Sequence, residues 1–155
     1  MVNSELIINL LDALLENGYY DPTEKYASNN AELLLQLSSH NPVFSGEFLF
    51  KFKRLSLYGL LHIDSESSML KIITPLTLDG TMRFKQAVIT NFLRKYTSPT
   101  ISINEENNIL FEYALFYPTS VEQFINVISN LAQLVEKFYD EYKQLSNNER
   151  IKSCQ

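Results

Sequence analysis

Between Val121 and Leu145 apolar side chains return in steps of three and four: Val121, Phe124, Ile128, Leu131, Val135, Phe138, Tyr142 and Leu145. At about 100° per residue all eight share one face of a helix. Thr119 with Glu122, or Ser120 with Gln123, supplies a capping box at its start, and Pro118 fixes the approach. Ile125, Val127, Ala132, Leu134 and Tyr139 lie off the stripe, which makes the apolar surface wider than one sheet contact needs. A second contact, most simply a symmetric dimer, is the expected use of that surplus. Just upstream, Ile101–Ile103 and Ile109–Tyr113 flank the polar run Asn104–Asn108 and read as two strands around a turn.

The rest of the chain resolves by the same periodicities. A first helix begins at Asn3 or Ser4, carries Leu6, Leu10, Ala13 and Leu14 on one side, and stops at Gly18. Tyr19 to Asn30 reads as loop. Ala31–Leu37 is either a short helix, favoured by Asn29 and Glu32 as a capping box, or a strand. Phe48, Phe50 and Phe52 alternate with Glu47, Lys51 and Lys53 apart from Leu49, as in a strand with one buried face. Leu57–Ile63 and Met69–Thr74 are two further strands around an Asp64–Ser68 turn, with Pro75 ending the second. Asp79-Gly80 opens a helix from about Thr81 to Lys95 that presents Phe84, Ala87, Val88, Phe92 and Leu93. The expected order is α-β-β-β-α-β-β-α, an α+β domain with an antiparallel sheet of about five strands, packed helices and an extra segment after the first helix. The domain spans 1–145, and 146–155 is a polar tail expected to fray.

Composition sharpens this picture. At 155 residues with 45% hydrophobic content the chain can bury one core without staples. Its single cysteine, Cys154, permits no internal disulfide and points to a reducing compartment. No basic segment leads into an apolar stretch at the N-terminus, and no run approaches the roughly 20 residues of a membrane span. A cytoplasmic protein is expected. The net charge of −5 is uneven: residues 1–46 hold six acidic and one basic side chain, residues 47–98 hold eight basic and four acidic.

Chemistry-bearing constellations are sparse. His40 sits in a polar loop, and His62 alternates with Leu61 and Ile63 so that it faces away from them. Neither has a partner spaced to orient it as a general base. No metal-ligand spacing and no glycine series for phosphate appears, so no catalytic residue, metal or cofactor is assigned. Asp64 and Glu66 lie on a turn tip and read as solvated charges rather than a catalytic carboxylate pair. Lys51, Lys53, Arg54, Lys85, Arg94 and Lys95 are the one basic cluster. The aromatics interleaved with them alternate in phase with a buried face, which argues against an RNA-stacking platform.

Asn91-Phe92-Leu93, the hairpin from Ile101 to Tyr113, and Thr119 to Phe124 leading into the terminal helix carry a resemblance. With the element order, they resemble the class I type III secretion chaperones and the related YbjN-type domains over about Ala87–Tyr142. The resemblance implies a small cytosolic homodimer without catalytic residues that binds an extended segment of another polypeptide. On this reading the chain is a non-enzymatic module holding a partner by apolar contact and strand addition. Its expected contacts are Phe48, Phe50 and Leu57 on the strand face, with Val127 and Leu134 on the last helix. The segment 19–46 exceeds the family's usual link. The alternative is a small-molecule or enzymatic site in that insertion, lined by Tyr19, Tyr20, Tyr26 and His40.

Overall fold

The computed structural model describes residues 2–117 and 119–153, with side chains described through Glu149. Pro118 and Cys154, singled out above, lie outside the described residues. Helix α1 spans Ser4–Glu16, capped by Asn3, whose side chain accepts from Leu6 N–H at 2.8 Å. It ends where Gly18 takes a φ of +79°, a conformation that costs a glycine little and lets Tyr19 N–H return to the Leu14 carbonyl.

The expected α+β order is present. After a 3₁₀ stretch Lys25–Asn30 and helix α2 (Ala31–Ser38) come β1 (Ser45–Lys51), β2 (Tyr58–Asp64) and β3 (Met69–Leu76). Helix α3 (Met82–Lys95), β4 (Thr100–Ile103), β5 (Ile109–Phe116) and α4 (Val121–Ser153) complete the chain. All strand pairs are antiparallel, in the order β1-β2-β3-β5-β4. The segment 31–38 is helix, which resolves the helix-or-strand alternative.

Several boundaries differ from the sequence reading, each for a physical reason. The capping box at Asn29 does not form: Asn29 bonds the Tyr26 carbonyl, and Asn30, which precedes α2, sends its side chain elsewhere. Tyr19–Asn30 is loop only in its first half. Pro75 does not end β3. Strand alternation points its nitrogen toward β2, whose pairing has already stopped at Leu60–Ile73, so no ladder bond is lost. Helix α4 runs on to Ser153, eight residues past Leu145, about 50 Å in all.

One sheet face carries the core: Phe48, Phe50, Leu61, Ile63, Leu70, Ile72, Ile109 and Phe111 are buried. Helices α1, α4 and α3 lie side by side over it. Phe138 of α4 meets Phe111 of β5 edge-to-face at 5.2 Å and Phe92 of α3 at 5.3 Å, while α1 packs along α4 toward the β1 side. Of the eight stripe residues on α4, six are buried, Leu145 is half-buried and Val121 is exposed. The opposite sheet face holds Leu49, Leu60, His62, Lys71, Ile73 and Glu112, half-buried or exposed.

Candidate functional site

A five-stranded open sheet has two edges, and their backbone groups are treated differently here. Along β1 the residues that point away from β2 are Ser45, Glu47, Leu49 and Lys51, because Phe52 N–H bonds Leu57 and sets the alternation. The segment 19–46 bonds both backbone groups of Leu49 and of Ser45, and the N–H of Lys51. Asn30 accepts from Leu49 N–H at 2.7 Å and donates to the Leu49 carbonyl at 2.9 Å. Gln36 accepts from Ser45 N–H at 3.1 Å and donates to the Ser45 carbonyl at 3.2 Å. Lys51 N–H donates to the Tyr19 carbonyl at 2.8 Å.

The β4 edge is open. Asn104 N–H bonds the Asn108 carbonyl, so Asn104, Ser102 and Thr100 face β5, while Ile101 and Ile103 present their N–H and C=O groups outward. No hydrogen bond among the described residues reaches those outward groups. Helix α3 runs beside this edge. Its buried Lys85, 2% exposed, donates from Nζ to the Asn107 carbonyl at 2.6 Å, and Asn107 donates to the Gly80 carbonyl at 3.2 Å. Those bonds place the start of α3 at the β4–β5 turn. On its α4 side Asn91 and Lys95 bond Glu141, so the opposite flank, with Met82, Gln86 and Leu93, borders the edge. The helix carries Arg83, Lys85, Arg94 and Lys95 and no acid; the turn beyond β4 exposes Glu105 and Glu106. Arg94 and Lys95 thus stand toward the start of β4, and Glu105 and Glu106 stand at its other end beside Arg83 and the buried Lys85.

The residues expected to touch a partner lie elsewhere. Phe48 and Phe50 are fully buried beneath the helices, with Phe50 edge-to-face on Phe52 at 5.2 Å, so a partner reaches neither in the folded chain. Their alternation marked the core rather than a contact face. Leu57, Val127 and Leu134 are half-buried and pack against the core cluster. So do Ile125, Ala132 and Tyr139; the surplus width of α4 is largely spent inside the fold. The tyrosines and histidine of the alternative site do not form one cluster: Tyr20 and Tyr26 meet, but Tyr19 and His40 do not join them. Tyr20 meets Tyr26 at 6.3 Å, Tyr26 meets Tyr58 at 5.5 Å, and Tyr19 packs on Phe52, whereas His40 is exposed beyond the far end of α2.

Cavities open at three places among the described residues, and His40 lines none of these. One of about 230 Å³ lies between the β1–β2 loop and α4, with Tyr19, Phe52, Lys53 and Glu136 in its wall. Lys53 stands over the Tyr19 ring at 5.2 Å, and Arg54 pairs with Glu136 at 3.8 Å. A second, about 490 Å³, sits where Tyr142 donates to the Asp79 carbonyl at 2.6 Å. Burial pushes the Tyr142 hydroxyl up, with the Asp79 charge adding to it. The third, about 350 Å³, opens over Glu47 between the Asn30 and Gln36 contacts. None holds an oriented acid–base pair, and among the described residues no three His, Cys, Asp or Glu side chains are grouped to hold a metal ion. His62 and Glu47 approach to 3.9 Å on the open sheet face, both about half exposed. The basic cluster is dispersed: Lys51 pairs with Glu24 at 3.7 Å, Arg54 with Glu136, Lys95 with Glu141, and Lys85 is buried.

No family model matches the chain, and no curated protein matches it. Among solved structures, the chain is similar in fold to an uncharacterized protein from Methanothermobacter thermautotrophicus, with a TM-score of 0.51 and 8% identity. The match covers 75% of this chain and 97% of that one. At that identity the likeness is one of fold. No helix among the described residues is long and apolar enough to cross a membrane.

Proposed function

We propose that this chain is a non-enzymatic, cytoplasmic polypeptide-binding module that takes an extended segment of another protein onto β4. The observation that carries the reading is the asymmetry of the sheet: β1 is closed by its own chain except at Glu47, whereas among the described residues the outward groups of both Ile101 and Ile103 on β4 are unpaired beside a helix. Strand addition uses such an edge, with backbone bonds giving affinity and flanking side chains giving selectivity. The resemblance to the secretion chaperones points the same way. The apolar contacts belong on the flank of α3, at Met82 and Leu93 with the polar Gln86 between them, in place of the buried Phe48 and Phe50.

The same edge suits a second copy of the chain. Antiparallel pairing of two β4 strands about a two-fold axis sets Glu105 and Glu106 of one copy toward the Arg94 end of the other. That is the arrangement a homodimer would use.

The test is Ile103→Pro, which removes an outward N–H without touching the bonds to β5. Light scattering first reads the mass of the folded wild type against 17.9 kDa for one chain. A dimer that Ile103→Pro dissociates supports the second copy. A monomer whose Ile101 and Ile103 amides become protected from exchange by an extended peptide, with binding lost in Ile103→Pro, supports the partner. Binding that leaves both amides unprotected refutes the edge. Turnover of a small molecule that is lost in His40→Ala refutes the module.

A further inference from the structure

The closure of β1 is made by amide side chains rather than by a strand, and this has a specific physical meaning. A primary amide offers one acceptor and two donors, the same pair of functions a peptide group presents to a sheet. Asn30 engages both the N–H and the C=O of Leu49, and Gln36 engages both groups of Ser45. Each stands where a residue of a sixth strand would stand. Both arise from helical segments, the 3₁₀ stretch and α2, whose own backbone groups are bonded along the helix. A sixth strand would only have moved the free edge outward by one position. A helical segment bearing amides ends the sheet. Asn30 has no exposed surface, although it is a polar residue on a short insertion, and Leu33 of α2 is buried over Gly46.

From this we infer that residues 25–38 are an edge guard: an intramolecular substitute for a neighbouring strand that keeps β1 from pairing with another chain. Unprotected edges of this kind recruit strands from other molecules, and folded proteins block them by several devices. This inference stands apart from the proposal for β4, since it concerns the opposite edge and holds whatever binds there.

The guard has one gap, and the gap makes the idea testable. Glu47 points its backbone groups outward between Ser45 and Leu49, lines the 350 Å³ cavity, and among the described residues receives no side-chain amide on its backbone. Amide hydrogen exchange on the full chain reads the pattern residue by residue. In the wild type Ser45, Leu49 and Lys51 should be protected and Glu47 the fastest amide of β1. Gln36→Ala should speed exchange at Ser45 by at least about tenfold, leaving Leu49 unchanged. Asn30→Ala should do the reverse. In the doubly substituted chain, sedimentation should show mass above the wild type that grows with concentration, and Glu47 should gain the protection it lacks. Only strand pairing at β1 covers Glu47, so that gain separates edge pairing from general aggregation. Three results overturn the inference: Ser45 and Leu49 exchanging as fast as Glu47 in the wild type; a folded double variant of wild-type mass; or association without protection of Glu47. If Asn30→Ala does not fold, Gln36→Ala, at the periphery of the fold, decides alone: an unchanged Ser45 amide overturns it.

Discussion

Gly59 lies directly across the ladder from Phe50, on the core face of β2, and the Phe50 ring lies over it. A Cβ placed on Gly59 would stand 2.7 and 2.8 Å from the two Cε atoms of that ring, closer than carbon atoms tolerate. Phe50 cannot swing clear, because it is fully buried and held edge-to-face by Phe52. Two effects compete in Gly59→Ala. Removing a glycine from an extended position restricts the unfolded chain and stabilises by about 0.4–1 kcal/mol. Forcing a methyl into a packed core costs about 1–3 kcal/mol. The clash wins, with a net loss of about 1–2 kcal/mol. Phe50→Leu removes every ring atom involved in the clash, since leucine ends at its Cδ atoms. In that background only the entropic effect survives, and Gly59→Ala should become neutral or stabilising by up to about 1 kcal/mol. Urea unfolding of the four proteins of this cycle measures the coupling. Additive effects, within about 0.5 kcal/mol, would refute the contact between Gly59 and Phe50.

Phe124→Ala and Leu131→Ala, on the buried stripe of α4, should each destabilise by about 2–5 kcal/mol in urea, whereas Gln144→Ala on the exposed face should stay within about 0.5 kcal/mol. Tyr142→Phe gives up the 2.6 Å bond to the Asp79 carbonyl and should cost about 0.5–1.5 kcal/mol in the same assay. Tyr117→Phe should be neutral or stabilising, because the buried Tyr117 hydroxyl has no hydrogen-bond partner among the described residues. Burial pushes that hydroxyl up to about 12, so above pH 10 the unfolded chain releases its proton while the folded chain retains it. Stability should therefore fall as pH climbs from 10 to 12, and thermal melts of Tyr117→Phe should lack that part of the decline.

The elements were legible because local periodicity writes them. The steps of three and four in α4 and the alternation of Phe48, Phe50 and Phe52 each encode which side faces inward, and the burial follows them. What a side chain on the inward face does was misread: strand alternation marks a buried face and says nothing of a partner, so Phe48 and Phe50 belong to the core. The open edge was invisible for a different reason. Whether β4 lies at the margin of the sheet depends on how β3 and β5 pair across the whole of α3, a relation that no local window contains. The bonds of Asn30 and Gln36 reach 19 and 9 residues along the chain, and neither residue type at neither position announces them. Asn29 and Glu32 looked like a cap by spacing, yet the neighbouring asparagine was the one committed to tertiary structure.

The ammonium of Lys85 rests on the carbonyl of Asn107 and is closed off from solvent, whereas lysines such as Lys137 and Lys143 are exposed. An acylating reagent can reach it only while the β4–β5 turn has come away from α3. In dilute reagent the labelling rate of this one amine is set by the fraction of time the turn stands open, and the exposed lysines of the same molecule calibrate the reagent. The chain thus carries its own chemical clock for the breathing of its unpaired margin, readable by mass spectrometry without any introduced probe.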